Sequence, residues 1–405
     1  MPTLDDRLLD DEQALLALDS RHTLRALALA GAQVRHAIDL SADAGPERLL
    51  GGDRPRSVLV ASLGGSAVVA EVLELLAEPG SPVPLHCRRN VPLPGWVGAL
   101  DLVVAVSRSG RAEGPLALAV EAARRGASLL TVGAPGSPLA QVSAQARGIH
   151  IDVPPGPCGS TGSSRTSLWA MLTPVVLAAH ALGIVSADAE VLARVADRLD
   201  AQAGVFRPGS ETFVNPAKSL AMQLAEGVPV VLGDGALTGV AARRAAAMLA
   251  RTARVPATWG ELPDDASQVV STFGGPFADG FTSEATAAGS RGSSGAGPAY
   301  DIFADPYLDG PPAPSLRLLL LRDRLEESAE AAATPSARLA DAVAQTARDA
   351  GVRVSEHSSD PGHPLERLAG LVALTDFTAT YLALGLGVDP GLSPQVAELR
   401  DRTSR

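Results

Sequence analysis

The sequence predicts an α/β protein of two lobes, each a parallel sheet flanked by helices. Short apolar runs of strand length end in turns rich in glycine and serine, and a helical stretch follows each turn, at roughly 20 to 30 residues per unit. The same order of strand, turn and helix returns in the second half of the chain. With 405 residues and 46% hydrophobic content, the chain is long and apolar enough for two cores.

The first half opens with helical spacing of apolar residues over residues 4–40. Apolar runs then predict parallel strands, each followed by a turn and a helix. The predicted strands of this half are 56–63, 100–106, 127–132 and 148–153. A loop rich in proline, glycine and serine at 154–164 precedes a long apolar helix.

The second half repeats this organisation around predicted strands at 229–232, 316–321 and 352–354. Residues 274–300 interrupt it, because they are rich in Gly, Ser and Ala and poor in large apolar side chains, which is typical of a flexible surface insertion. The predicted helices of this half are 237–253, 322–332, 335–350, 365–385 and a last helix from 394.

We therefore divide the chain into three parts. Residues 1–45 form a helical arm, 46–186 the first lobe, and 187–405 the second lobe with its insertion at 274–300 and its C-terminal helices. The two lobes are alike in organisation but show no clear repeat at the level of residues.

Composition excludes several classes of function. The net charge of −11 without a basic cluster argues against a nucleic-acid partner. Cys87 and Cys158 are far apart and match no metal or redox spacing, so we expect ordinary thiols in a reducing compartment. The N-terminus lacks the basic and apolar regions of a signal peptide, and the apolar stretch 168–185 contains Pro174 and His180, as in a buried helix. We expect a cytoplasmic protein with no membrane partner.

Two turns have the chemistry of an anion site. Gly64, Gly65 and Ser66 follow the first predicted strand and open a helix, so they offer backbone N–H groups and a hydroxyl at a helix N-terminus. A second turn, residues 107–111 (SRSGR), follows the next strand and adds two cations to its hydroxyl and N–H groups. In open parallel sheets, ligands bind beyond the carboxyl ends of the strands.

The ligand that suits these turns is a small phosphate monoester. The motifs GxxxxGK[ST] and GxGxxG are absent from both turns, so neither a nucleotide nor a dinucleotide cofactor is expected, and we expect no other cofactor. The alternative is that both are ordinary strand-to-helix turns, where glycine and serine are common in any protein.

The turns resemble those of the SIS (sugar isomerase) fold, and the second half narrows the resemblance. Residues 215–218 (NPAK), 254–265 (RVPATWGELPDD) and 365–390 (LERLAGLVALTDFTATYLALGLGVDP) are similar to segments of the bifunctional phosphoglucose/phosphomannose isomerases. The resemblance covers nearly the whole chain except the N-terminal arm and the insertion. It implies two SIS-type lobes, a homodimer with the ligand between the lobes, and interconversion of aldose and ketose hexose 6-phosphates.

The resemblance also assigns roles to single residues. Ser107, Ser109 and Gly110 fall on the family's second phosphate turn, as Gly64, Gly65 and Ser66 fall on the first. Ala112 stands where the family usually has a threonine, which removes one hydroxyl. Arg165 falls on an arginine that stabilises the enediolate intermediate, and Arg400 on a C-terminal active-site lysine.

Two departures bear on catalysis. The family's glutamate base falls on Arg251, and its ring-opening histidine falls on Ser267. An arginine with a pKa above about 12 is no general base, and a lone serine is a poor proton shuttle. Glu261 is the first candidate for a substitute base.

Other titratable residues near these positions have a plainer interpretation. Asp264 and Asp265 fit solvated loop carboxylates, and His357 and His363 fit histidines of a polar loop. Two hypotheses stay open: an isomerase that uses Glu261, and a non-catalytic sugar-phosphate sensor or partner subunit. Amidotransfer is disfavoured, because neither cysteine is an N-terminal nucleophile.

Overall fold

The computed structural model describes residues 4–77, 80–155, 163–225, 227–278, 315–324 and 334–403, without the side chains of residues 50, 52 and 400. Most of the insertion predicted at 274–300 and most of the helix predicted at 322–332 therefore lie outside the described residues. The chain forms two compact units. Residues Arg21–Val205 and Gly362–Ala373 form the five-stranded unit, and Met1–Ser20, Phe206–Pro361 and Leu374–Arg405 form the four-stranded unit.

The five-stranded unit contains a fully parallel sheet in the order β2-β1-β3-β4-β5. Its strands are β1 (Val58–Ser62), β2 (Leu85–Arg88), β3 (Leu102–Ser107), β4 (Ser128–Gly133) and β5 (Ile149–Asp152). The central strands β1 and β3 are buried along their whole length. Such strands, covered on both faces by helices, consist of continuous apolar runs, which is why the sequence predicts them.

The chain starts with α1 (Asp6–Asp10) and α2 (Glu12–Leu18) of the four-stranded unit. The helices of the five-stranded unit follow: α3 (Thr23–Ala28), α4 (Ala30–Ala44), α5 (Ala67–Ala77), α6 (Glu113–Arg124), α7 (Pro138–Gln145), α8 (Leu168–Ala181) and α9 (Ala189–Val205). One face of the sheet packs on α6 and α7, where Leu59, Val103 and Leu129 contact Leu118 and Leu139 in one apolar cluster.

The four-stranded unit holds a second parallel sheet in the order β7-β6-β8-β9. Its strands are β6 (Gly227–Gly233), β7 (Thr258–Glu261), β8 (Ser315–Arg322) and β9 (Arg353–Ser358). Its helices are α10 (Pro216–Ala225), α11 (Ala236–Met248), α12 (Ala266–Thr272), α13 (Pro335–Asp349), the second half of α14 (Pro364–Gly385) and α15 (Pro394–Thr403). Two parallel sheets flanked by helices confirm the predicted fold class.

Helix α14 is the one helix of the described residues that is long and apolar enough to cross a membrane. Its apolar window is 94% buried inside the protein, and buried core helices pass the same test of length and composition. It also contains Asp376, whose carboxylate accepts hydrogen bonds of 2.6–3.2 Å from Arg244 of α11. Both side chains of this pair are only 5% exposed. The sequence predicts a helix over residues 365–385, and the burial of its apolar window identifies it as a core helix.

A second buried charge organises the entry to α10. Lys218 is fully buried, and its Nζ donates to the carbonyls of Pro208 and Ser210, at 2.7 Å each. The ammonium lies 5.4 Å from the ring centre of Tyr381, whose hydroxyl donates to the Phe206 carbonyl at 2.6 Å. Desolvation lowers the pKa of Lys218. The lysine of the NPAK segment therefore supports a loop of the four-stranded unit.

Candidate functional site

The two glycine- and serine-rich turns lie side by side at one edge of the five-stranded sheet. Strands β1 and β3 pair in parallel with Ser62 opposite Val106, so the turns that follow them leave the same edge. The first turn, Gly64–Ser66, is a short 3-10 helix that runs directly into α5, with Gly64 at a φ of 62°. The second turn, residues 107–111, begins at the last residue of β3 and precedes α6.

Both turns contact the start of α8. The Ser66 hydroxyl lies 3.5 Å from the sulfur of Met171, and Nε of Arg108 donates to the Ser167 hydroxyl at 3.2 Å. Ser167 and Met171 are one helical turn apart, and Ser167 directly precedes α8. Three segments, the two turns and the N-terminus of a 14-residue helix, therefore meet at one corner of the unit. We call this place the β1–β3 corner.

The serines of the corner differ in exposure. Ser66 and Ser107 are buried, whereas Ser109 is exposed. The Ser107 and Ser109 hydroxyls accept the N–H groups of Ala112 and Arg111, both at 3.3 Å. A hydroxyl that accepts a hydrogen bond keeps its own proton to donate, so Ser109 is oriented by its turn and able to donate to a ligand oxygen.

Gly110 packs the second turn against the turn between β4 and α7. It has a φ of 63°, and a Cβ at this position would lie 2.0 Å from the hydroxyl oxygen of Ser137. The Gly110 carbonyl accepts the Leu139 N–H at 3.1 Å, and Ser137 caps α7 by accepting the Ala140 N–H at 3.3 Å. Only glycine satisfies both the backbone angle and the space.

Arg165 lies in the turn that leads into α8. Its backbone N–H and its Nε both donate to the Ser163 hydroxyl, at 3.2 and 3.3 Å, and the residue is half-buried. It stands two residues before Ser167, which contacts Arg108. The segment that carries Arg165 therefore belongs to the β1–β3 corner, although Arg165 and the two turns are far apart in sequence.

The corresponding turn of the four-stranded unit is filled by its own carboxylate. Asp234 follows β6, is buried, and accepts the Asp323 N–H and the Thr238 hydroxyl, both at 2.9 Å. Desolvation raises the pKa of Asp234. Because an aspartate already occupies donors that an anion would need, this turn is a poor anion site. Of the two units, the five-stranded one therefore offers the better candidate for an anion site.

Glu261 and Arg251 lie at opposite ends of α11. Glu261 ends β7, and its carboxylate lies against Gly239 in the first turn of α11, where a Cβ would stand 2.2 Å from Oε2. Arg251 is exposed in the π-helical turn Leu249–Ala253 that continues α11, about 18 Å of helix away from Gly239. The spacing in sequence alone does not reveal this separation.

The remaining predicted positions are dispersed. Ser267 is exposed on α12, where its carbonyl accepts the Ser271 hydroxyl at 2.7 Å. Asp264 is exposed, and Asp265 accepts the Glu261 N–H at 2.7 Å, which gives Asp265 a local structural role. The side chain of Arg400, on α15, lies outside the described residues.

The two loop histidines differ from the exposed bystanders that the sequence predicts. His363 is half-buried, and its Nδ1 accepts the Leu365 N–H at 3.2 Å, so Nε2 carries the proton and donates to the Ser186 carbonyl at 3.1 Å. His357 lies half-buried on β9. Burial lowers the pKa of both rings, which favours neutral imidazoles.

Cys87 is not an activated nucleophile. It lies on the edge strand β2, with its sulfur 3.7 Å from the Glu74 carboxylate, while Cys158 is outside the described residues. Although the residue is exposed overall, desolvation of the sulfur, followed by the charge of Glu74, raises the pKa of the Cys87 thiol to about 12. A thiol that stays protonated at neutral pH is a weak nucleophile.

We expect iodoacetamide to alkylate Cys87 roughly ten times or more slowly than an unhindered cysteine at pH 8, with a rate that still rises above pH 9. The measurement is made in a Cys158→Ser background and followed by mass spectrometry. Glu74→Gln should accelerate the reaction, whereas Glu190→Gln, at an exposed site on α9, should not. Fast labelling of the parent protein would contradict the raised pKa.

Comparison with known proteins finds a family model and a curated relative that match part of the sequence. Residues 213–403 match the family model of the bacterial phospho-glucose isomerase C-terminal SIS domain. A bifunctional phosphoglucose/phosphomannose isomerase of Caldicellulosiruptor bescii is 24% identical over 200 residues, which cover 49% of this chain and 57% of the relative. The matched part thus spans little more than half of that relative's length.

Solved structures show the fold over almost the whole chain. A hypothetical protein from Thermus thermophilus superposes with a TM-score of 0.67 at 16% identity, covering 99% of both chains. A glucose-6-phosphate isomerase from Chlamydia trachomatis superposes with a TM-score of 0.64 at 12% identity, covering 98% of this chain and 84% of that chain. Together with the sequence matches, these findings show an SIS-type fold and make the chain similar to the bifunctional phosphoglucose/phosphomannose isomerases, with the family model matched over residues 213–403.

Proposed function

We propose that this protein binds a hexose phosphate through its phosphate group at the β1–β3 corner. The observation that carries the proposal is the meeting of the two turns at the start of α8, seen in the contacts of Ser66 with Met171 and of Arg108 with Ser167. Backbone N–H groups at helix N-termini favour a negative charge, and the exposed Ser109 adds a hydroxyl donor. The names of the relatives, phosphoglucose and phosphomannose isomerases, support a hexose phosphate as the ligand class.

Binding is tested by calorimetric titration of the purified protein with glucose 6-phosphate, mannose 6-phosphate and fructose 6-phosphate, with unphosphorylated glucose as the control ligand. Ser109→Ala and Arg165→Ala should each weaken the phosphate complexes by about 1–3 kcal/mol, because each removes a hydroxyl or charged contact. Ser271→Ala, on the exposed surface of α12, should leave the affinity unchanged. Absence of any phosphate-dependent binding by the parent protein would overturn the proposal.

Whether binding leads to turnover depends on a general base. By family resemblance the base and ring-opening positions are Arg251 and Ser267, and neither residue type supplies a carboxylate or imidazole. We therefore propose a non-catalytic sensor or partner subunit of phosphosugar metabolism on chemical grounds. Isomerisation of hexose 6-phosphates is the second candidate, supported by the resemblance to phosphoglucose isomerases and by Glu261 at the end of β7.

Prolonged incubation with fructose 6-phosphate discriminates between these two functions. The sensor hypothesis expects a complex without aldose product, and the isomerase hypothesis expects glucose or mannose 6-phosphate. If product forms, Glu261→Gln should abolish it when Glu261 is the base, whereas Asp264→Asn, at the nearby exposed carboxylate, should not. Product formation that survives Glu261→Gln would remove Glu261 from the proposed chemistry.

A cytoplasmic homodimer is the assembly that the family resemblance implies. We propose this state for the protein, and sedimentation equilibrium at micromolar concentration tests it. A mass near 41.3 kDa across the concentration range would contradict the dimer.

A further inference from the structure

Arg108, the residue between the two serines of the second turn, makes an unusual set of contacts. Its Nη2 donates to the Pro154 carbonyl at 2.8 Å and its Nη1 to the Val153 carbonyl at 3.4 Å, just beyond the end of β5. Its Nε donates to the Ser167 hydroxyl at 3.2 Å, at the start of α8. One guanidinium thus ties the second turn to two other segments of the β1–β3 corner.

Every one of these acceptors is uncharged. Two are backbone carbonyls and one is a hydroxyl, and none of the described carboxylates forms an ion pair with Arg108. The residue is half-buried, and desolvation lowers the pKa of its guanidinium. A partly desolvated cation without a counter-ion is costly, and an anion bound nearby offsets that cost.

The neighbouring Arg111 provides a contrast. Arg111 is exposed, and its backbone N–H bonds the Ser109 hydroxyl. Its side chain can turn toward water, where screening weakens its field. The two cations of the SRSGR turn are therefore not equivalent, although the sequence alone presents them as a pair.

We propose that Arg108 is a positioning and specificity-determining residue of the phosphate site. It holds the second turn against α8 and supplies an uncompensated positive charge. This charge makes the site prefer a dianionic phosphate monoester to a singly charged anion. This inference rests on the proposed function, namely binding of a sugar phosphate at the β1–β3 corner. It goes beyond that function by assigning charge selectivity to one residue of this chain.

The test compares glucose 6-phosphate with glucose 6-sulfate, which has the same sugar and a singly charged group of similar shape. Above a pH of about 6 the phosphate is a dianion. Calorimetric titrations at pH 7.5 should give the parent protein and Arg111→Gln a preference for the phosphate of about tenfold or more, since charged hydrogen bonds are the stronger ones. Arg108→Gln should reduce this ratio several-fold toward unity.

The ratio separates charge selectivity from a merely structural role. Loss of support for the turn weakens both ligands alike and leaves the ratio intact, which would overturn the inference. Arg108→Lys keeps the charge but loses the forked contacts, so it should retain most of the ratio with weaker affinity for both ligands. This variant keeps the test decisive if Arg108→Gln fails to fold, because a ratio near unity in a folded Arg108→Lys protein also overturns the inference.

Failure of the proposed function would give a different result from failure of the inference about Arg108. If the parent protein binds neither glucose 6-phosphate nor glucose 6-sulfate, the β1–β3 corner is not a sugar-phosphate site and both proposals fall. If the parent protein binds the phosphate and Arg108→Gln keeps the full preference over the sulfate, only the role of Arg108 is overturned.

Discussion

Replacing Asp376 by asparagine should lower the free energy of unfolding by about 3–5 kcal/mol, because the change leaves Arg244 buried without its counter-ion. The two side chains form a bidentate pair with contacts of 2.6–3.2 Å and are each 5% exposed. Burial raises the pKa of the Asp376 carboxyl, and the contacts with Arg244 oppose that rise. Urea denaturation at neutral pH measures the effect.

A matched control at an exposed ion pair tests whether the loss of stability comes from the burial of the Arg244–Asp376 pair. Asp341→Asn removes one of the two carboxylate partners of Arg322, in a contact of 2.6 Å. This carboxylate is 61% exposed and Glu356 still pairs with Arg322, so the loss should stay below about 1 kcal/mol. The double variant Arg244→Met/Asp376→Leu should recover much of the stability lost in Asp376→Asn, because it removes both charges together. Equal, small effects of Asp376→Asn and Asp341→Asn would show that the buried pair contributes little.

Gly110→Ala should abolish measurable sugar-phosphate binding and destabilise the protein by about 3 kcal/mol. The left-handed φ of 63° costs a Cβ-bearing residue about 1–2 kcal/mol, and the clash with Ser137 adds a cost of overpacking of similar size. The clash also pushes the second turn away from α7, so Ser109 leaves its position at the β1–β3 corner. Calorimetry and denaturant unfolding measure the two effects.

Gly136→Ala is the control for backbone angle alone. Gly136 has the same φ of 63°, but nothing lies within 4 Å of the position that a Cβ would take. This variant should lose only about 1–2 kcal/mol of stability and keep its affinity. The double variant Gly110→Ala/Ser137→Gly should regain binding, since the clashing side chain is gone; a double variant that still fails to bind would indicate that the clash is not the cause.

The predicted strands and the missed ones differ in burial. Strands β1, β3 and β8 are central, and their continuous apolar runs are visible in the sequence. The sequence does not predict strands β2 (LHCR) and β7 (TWGE), because they are four-residue edge strands whose side chains are exposed or half-buried. Their pairing with β1 and β6 makes them strands, and no local pattern encodes that pairing.

Part of the candidate site was likewise predictable from the sequence, and part was not. The sequence by itself located the two glycine- and serine-rich turns, because each follows a buried parallel strand and so lies at the carboxyl edge of the sheet. It also predicted the long helix over residues 365–385, observed as α14, and the resemblance to the bifunctional phosphoglucose/phosphomannose isomerases.

Only the tertiary structure decided which charged side chains contact each other and where they lie. It placed Arg108 on the end of β5 and the start of α8, joined Arg244 to Asp376 across 132 residues, and put Arg251 and Glu261 at opposite ends of α11. Local sequence sets the period of helices and strands, since backbone geometry acts between near neighbours. Contacts between distant side chains depend on how whole elements pack, and that information lies in no short segment of the chain.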